Sequence, residues 1–179
     1  MIALLYGGSR CGKSALAEEM LATLAHRVTG LYYIATMPPC GSEAEARIAR
    51  HRAERAHRNF ITIERTVAMG SLVIPSGAAV LLECLGTLLA NEMFSPEGAG
   101  GCSFEAVSRG LENLSRQTDR LIVVTNDVFA DGVCHTSETA EYCRVLAKLN
   151  ELLAQKSGRV AEVVCGIPLW HKCTEDWDS

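Results

Sequence analysis

Apolar residues along this chain fall into short, nearly unbroken runs, and between the runs they return every third or fourth position. Runs of that length bounded by turn residues predict buried strands. They lie at Met1–Tyr6, Leu31–Thr36, Phe60–Glu64, Ala78–Cys84, Leu121–Thr125 and Arg159–Cys165. The intervening period predicts helices over Lys13–His26, where Leu16, Met20, Leu21 and Leu24 share a face, and over Leu85–Phe94, Phe104–Gln117 and Ser137–Gln155. Ser42 followed by Glu45 is a capping box, which predicts a further helix over Glu43–Arg58. Strands apolar on both faces, alternating with helices, predict an α/β fold with a mostly parallel sheet covered on both sides. The stretch Ser95–Ser103, with Gly98, Gly100 and Gly101, reads as a flexible insertion within one domain spanning 1–179.

At 179 residues the chain can bury a sizeable core. A net charge of −4 argues against a general nucleic-acid partner, which would need a basic surplus. The apolar N-terminal run is too short for a leader or a membrane span, so the cytoplasm is the expected compartment. The eight cysteines show neither C-x-x-C pairs nor zinc-like spacing with histidine, and are expected to be free thiols.

The first strand leads into Gly7-Gly8-Ser9-Arg10-Cys11-Gly12-Lys13-Ser14, a full G-x-x-x-x-G-K-[ST] phosphate loop between a strand and a helix. Its glycines let backbone N–H groups wrap a phosphate, and the following helix adds a favourable dipole. Lys13 is expected to bridge the β- and γ-phosphates, and Ser14 to ligate Mg²⁺. The loop points to a nucleotide and says nothing about which reaction. The acid on the metal side should end a neighbouring strand, and Glu83 is best placed. An ordinary strand-end carboxylate in solvent is the competing reading.

On the helix expected at 43–58, Arg47, His51 and Arg55 lie at i, i+4 and i+8, with Arg50 and Arg52 flanking the histidine. Neighbouring cations disfavour protonated imidazole, and a neutral imidazole is a nucleophile. The same arginines could hold the phosphates it attacks. A solvated basic face with an incidental histidine stays open on spacing alone. His26, His57, His135 and His171 lack such a setting and read as surface residues.

Together these segments resemble a known family. The phosphate loop is similar to its G-G-x-R-x-G-K-S, and Tyr33-Ile34-Ala35-Thr36 to its Y-I-A-T. Glu43, Arg47-Ile48, His51 and Arg55, then Thr62 and Glu64, resemble E-x-x-x-R-I-x-x-H-x-x-x-R followed by T-x-E. Leu81-Leu82-Glu83-Cys84-Leu85 with Asn91, Thr125-Asn126-Asp127-Val128, and Leu149-Asn150 resemble its remaining signatures. The family is the bifunctional adenosylcobinamide kinase/adenosylcobinamide-phosphate guanylyltransferase of cobalamin biosynthesis. The resemblance implies two reactions: phosphorylation of adenosylcobinamide by ATP or GTP, and transfer of GMP from GTP through a guanylylated histidine, matched here by His51. It implies guanine-nucleotide contacts at Ala35, Thr36, Met37, Arg52, Ala53, Glu54, Arg55, Glu64 and Glu83. It also implies a P-loop NTPase-like three-layer α/β fold and a homotrimer.

The chain departs from the pattern in places. Where the family has N-E-V-G-x-G-x-V-P, this chain runs Asn126-Asp127-Val128-Phe129-Ala130-Asp131-Gly132-Val133-Cys134. Leu85-Gly86 stands where the family favours a threonine, Ala44 where it often has methionine, and Phe60 near a usual tryptophan. The segment between Arg55 and Glu64 is one residue longer. A P-loop kinase of another small molecule, or a nucleotide-binding paralogue without catalysis, are the alternatives.

Overall fold

The structure, a computed structural model, describes residues 1–38, 59–128 and 136–174. Seven strands form one sheet: β1 Ile2–Tyr6, β2 Leu31–Ala35, β3 Phe60–Glu64, β4 Ala78–Glu83, β5 Thr118–Val124, β6 Arg159–Val164 and β7 Ile167–Cys173. Their spatial order is β3-β2-β4-β5-β1-β6-β7. Every neighbouring pair is parallel except β6 and β7.

Four α-helices complete the described layers: α1 Lys13–Ala22, α2 Leu85–Phe94, α3 Ser103–Gln117 and α4 Ser137–Lys156. Side chains alternate across a strand, so each strand feeds two cores. Leu5, Leu31, Leu81, Ile122 and Val163 point to one side and pack with Ala17, Leu21 and Leu24 from α1 and the turn after it. Leu4, Ile34, Leu82, Val123 and Val160 point to the other and meet Leu88 and Leu89 of α2, Leu111 and Leu114 of α3, and Leu146 and Leu149 of α4. Helices thus cover both faces of a mostly parallel sheet, as the apolar runs predict, and with the phosphate loop after β1 this is the three-layer P-loop architecture that the resemblance implies.

Several boundaries differ from the expected ones. Helix α1 ends at Ala22, four residues before His26, because the chain tightens into i→i+3 turns: Leu24, Ala25 and Arg27 donate to Leu21, Ala22 and Leu24 carbonyls. Strand β5 starts at Thr118, whose hydroxyl donates to Leu114 O at 2.8 Å as α3 ends. The expected helix at 43–58 lies outside the described residues.

Strand β7 was not legible in the sequence. Cys165 (φ 50) and Gly166 (φ 83) form a two-residue turn with positive φ at both positions, type I′ geometry that reverses a hairpin. Asn-Gly would have announced such a turn, whereas Cys-Gly does not. Pro168 also argues against a strand, and it is tolerated because β7 is the sheet edge.

The glycine-rich segment before α3 is fastened where composition predicts flexibility. A side chain on Gly98 would start 2.5 Å from both Asn91 O and Glu92 O. Glu92, only 2% exposed, accepts from Ala99 N at 3.0 Å and from Ala68 N at 2.6 Å, so one carboxylate ties two loops to α2. Gly86 has a similar steric role. Its missing side chain makes room for Tyr142 of α4, whose hydroxyl would lie 2.8 Å from a Cβ there and donates to Gly86 O. Burial, with the nearby Cys84 and Cys143 thiols, pushes the Tyr142 phenol up to about 12. The described cysteines Cys11, Cys84, Cys102, Cys143, Cys165 and Cys173 are free thiols.

Candidate active site

Parallel strands deliver their carboxyl ends to one edge of the sheet, where open α/β folds bind ligands. Along that edge Glu64 is level with Ala35, Ala35 with Glu83, Glu83 with Val124, and Val124 with Leu5. The phosphate loop leaves β1 one residue beyond Leu5. Topology therefore gathers Glu64, Ala35, Glu83 and the loop on one rim, although they are up to 76 positions apart in sequence (Gly7 to Glu83, with Glu64 between).

Backbone conformation in the loop explains two of its glycines. Gly7 has φ +146, and a Cβ there would meet Val163 O at 2.6 Å. Gly12 has φ +96 as the N-cap of α1, and a Cβ there would lie 3.0 Å from Gly166 Cα. Both positions are closed to other residues by geometry. Lys13, 5% exposed, donates through Nζ to Gly7 O at 3.0 Å and Gly8 O at 2.5 Å. Both acceptors are neutral, so neither cancels the charge. A buried ammonium beside the N-terminus of α1 makes the loop an anion site.

Strand β5 separates β1 from β4, yet Glu83 reaches the first turn of α1. Ser14 Oγ donates to Glu83 Oε1 at 2.5 Å, and Tyr33 OH donates to Glu83 Oε2 at 2.6 Å. Both carboxylate oxygens are held, which fixes Glu83 beside the hydroxyl of the loop and excludes the reading of a solvated strand end. A hydroxyl with free lone pairs next to a carboxylate fits a hard divalent cation that takes most of its ligands from phosphate and water. Among the described residues there is no cluster of three or more His, Cys, Asp or Glu able to hold a metal alone.

Thr36 lies at the end of β2 and is fully buried. Its Oγ1 donates toward Glu83 O (3.0 Å) and Cys84 O (3.1 Å) and accepts from Cys84 N at 2.8 Å. Asn91 of α2 donates to Thr36 O at 2.7 Å and Thr66 O at 3.1 Å. This staple holds the backbone that carries Glu83. Thr36→Val keeps the shape but leaves the half-buried Cys84 N–H without that acceptor, and is expected to cost about 1–3 kcal/mol of stability. Urea unfolding checks it, and an unchanged midpoint would show that the staple is dispensable.

Of the other expected nucleotide contacts, Ala35 and Met37 are partly buried at the rim, and Glu64 is exposed at the end of β3. His51, Arg52, Ala53, Glu54 and Arg55 lie outside the described residues, as do Phe129–Cys134 of the altered loop. The start of that loop runs beside the phosphate loop: Asp127 N donates to Gly7 O at 3.0 Å, and Thr125 N to Leu5 O at 2.9 Å. The sequence motifs assign no role to Tyr33 or Asn91. For Tyr33 a signal existed, since its strand phase puts it on the α1 face with Glu83. A separate cavity of about 520 Å³, lined by Met93, Phe104, Glu141, Arg144 and Lys148, lies among α2, α3 and α4 and contains none of these groups.

The family model described as cobinamide kinase / cobinamide phosphate guanyltransferase matches residues 3–170. The chain is 32% identical over 172 residues to the bifunctional adenosylcobalamin biosynthesis protein CobP of Pseudomonas aeruginosa, covering 93% of this chain and 94% of the relative. It is 30% identical over 182 residues to the bifunctional adenosylcobalamin biosynthesis protein CobU of Escherichia coli (strain K12), covering 93% and 97%. Among solved structures, the flagellar accessory protein FlaH from Methanocaldococcus jannaschii superposes with a TM-score of 0.47 at 10% identity, covering 96% of this chain and 78% of that one. The fold assignment rests on the strand order and loop described above. With the family model spanning nearly its whole length, and a phosphate loop, its lysine and its acid assembled on one rim, the chain belongs to the cobinamide kinase / cobinamide phosphate guanyltransferase family.

Proposed function

We propose that this chain, acting as one nucleotide-binding domain over 1–179, carries out both reactions in its family's description on a corrinoid alcohol. The observation that carries the reading is the assembly of Lys13, Ser14 and Glu83 around one loop. That assembly suits a nucleoside triphosphate, with a cation and a metal-side acid both at the β- and γ-phosphate end.

In the kinase step, the hydroxyl of the aminopropanol arm of adenosylcobinamide attacks the γ-phosphorus of GTP or ATP. The bond to the β–γ bridging oxygen breaks, the nucleoside diphosphate leaves, and the hydroxyl proton is lost. Lys13 and the loop N–H groups stabilise the charge on the phosphoryl oxygens. Mg²⁺, when bound by Ser14 and on the Glu83 side, would neutralise charge on the β- and γ-oxygens.

In the second step, an imidazole nitrogen of His51 attacks the α-phosphorus of GTP and pyrophosphate leaves. A phosphate oxygen of adenosylcobinamide phosphate then attacks that phosphorus and the P–N bond breaks, giving adenosylcobinamide-GDP and free histidine. A covalent phosphoramidate divides one difficult transfer into two easier ones. Arg52, Arg55, Glu64 and the Ala35–Met37 rim would contact the guanine nucleotide. A homotrimer in the cytoplasm completes the proposal. Among the described residues, no helix is long and apolar enough to cross a membrane.

Incubation with GTP labelled at the α-phosphate tests it. The expected result is acid-labile, base-stable label on the protein, discharged by adenosylcobinamide phosphate. Kinase turnover on the corrinoid without protein label would leave a kinase alone. Turnover of another alcohol, or nucleotide binding without any turnover, would overturn the reading altogether.

A further inference from the structure

Tyr33 carries a hydroxyl into an apolar place. It is the central residue of β2, 4% exposed, in the core that packs against α1. Its ring meets Phe60 of β3 edge-on, with centroids 6.5 Å apart and planes at 80°. Phenylalanine would fill the same space. The hydroxyl brings a hydrogen bond to Glu83 Oε2 at 2.6 Å. Strand register makes that bond diagonal: Tyr33 is level with Leu81, and Glu83 lies two residues farther along β4 on the same face. A serine or threonine side chain is too short for that span, which an aromatic ring covers.

The other oxygen of Glu83 is bound by Ser14, whose hydroxyl has a single proton to give. While that proton points at Oε1, the lone pairs of Ser14 Oγ are left for a cation. If the carboxylate rotated away, the Ser14 proton would be free to turn into the phosphate site and compete with a cation there. One hydroxyl on each oxygen resists the rotation. Tyr33 supplies the half of this restraint that comes from outside the loop.

We propose that Tyr33 is a positioning residue for Mg²⁺: by holding Glu83, it fixes the direction of the Ser14 proton and keeps Ser14 open to the ion. Tyr33 is too deeply buried to touch nucleotide, so it acts through Glu83. The proposal rests on the reading of the Gly7–Ser14 loop as a triphosphate site with Mg²⁺ beside Ser14. Groups that orient a metal site from behind are typically worth about 10–100-fold in metal affinity.

The readout is the gain in affinity for α,β-methylene GTP, which cannot release pyrophosphate, when Mg²⁺ replaces EDTA, measured by calorimetry on the full chain. In Tyr33→Phe, which keeps the ring, affinity in EDTA should stay within about twofold while the Mg²⁺ gain falls about tenfold. An undiminished gain overturns the proposal. Equal losses with and without Mg²⁺ also overturn it, because they would make Tyr33 a packing residue. Glu83→Gln should lose most of the gain by itself, and adding Tyr33→Phe should lower it no further. A full gain in Glu83→Gln overturns the proposal whatever Tyr33→Phe does, and so does a further loss in the double variant. Failure of the unaltered protein to bind the analogue at all overturns the loop reading, and the proposal with it.

Discussion

Replacing His51 with alanine is expected to abolish the protein-bound guanylyl label and to lower guanylyl transfer to adenosylcobinamide phosphate by about 10⁴-fold or more, the scale seen when a covalent nucleophile is removed. Alanine offers no atom that can bond to the α-phosphorus. The flanking Arg50 and Arg52 have no neutral nitrogen at working pH, so they cannot substitute. Phosphorylation of adenosylcobinamide should survive within a few-fold, because γ-phosphoryl transfer to an alcohol needs no covalent protein intermediate. Measuring both steps on one preparation checks folding and mechanism together. Full labelling of the variant would move the nucleophile to another residue, and joint loss of both steps would make His51 a structural residue.

Lys13→Ala should produce a different pattern, lowering both reactions. Loss of one preorganised charge contact to a transferring phosphoryl group costs about 10²–10³-fold in kcat. Lys13 suits this role because its Nζ is already held by Gly7 O and Gly8 O, so little reorganisation remains when phosphate arrives. If one loop grips the triphosphate for both steps, transfer of GMP to His51 must weaken as well. Initial-rate assays of each step decide the point. Retention of full guanylylation in Lys13→Ala would place the guanylyl donor outside the loop and require two nucleotide sites.

The fold was legible wherever burial is two-sided. Ile2–Tyr6, Leu31–Ala35 and Ala78–Glu83 are inner strands, and their unbroken apolar runs mark them within a residue or so. The short strand at Phe60–Glu64 also lies where its run predicts, although it is an edge strand. The second edge, β7, was lost because edge strands expose one flank and carry mixed residues, and because its turn reads Cys-Gly. In the candidate site, the loop and Glu83 were legible, since a phosphate loop is local and an acid ending an apolar run is conspicuous.

Partnerships were less legible. Tyr33 and Ser14 meet on Glu83 only because β2 is next to β4 and α1 folds across β5; strand phase gives Tyr33 its face, but the neighbour comes from sheet order. Thr36 shows the same limit from the other direction. The resemblance implies a nucleotide contact there, and the fold gives its hydroxyl full employment on the Glu83–Cys84 backbone.

Gly86 and Tyr142 fill one volume from two helices, so neither position can drift alone. A threonine at 86 would need a smaller neighbour at 142, and a return to glycine frees the space again. Relatives that differ at one of these sites should therefore differ at the other. In this chain the space that a threonine side chain would take at 86 is occupied by the Tyr142 hydroxyl.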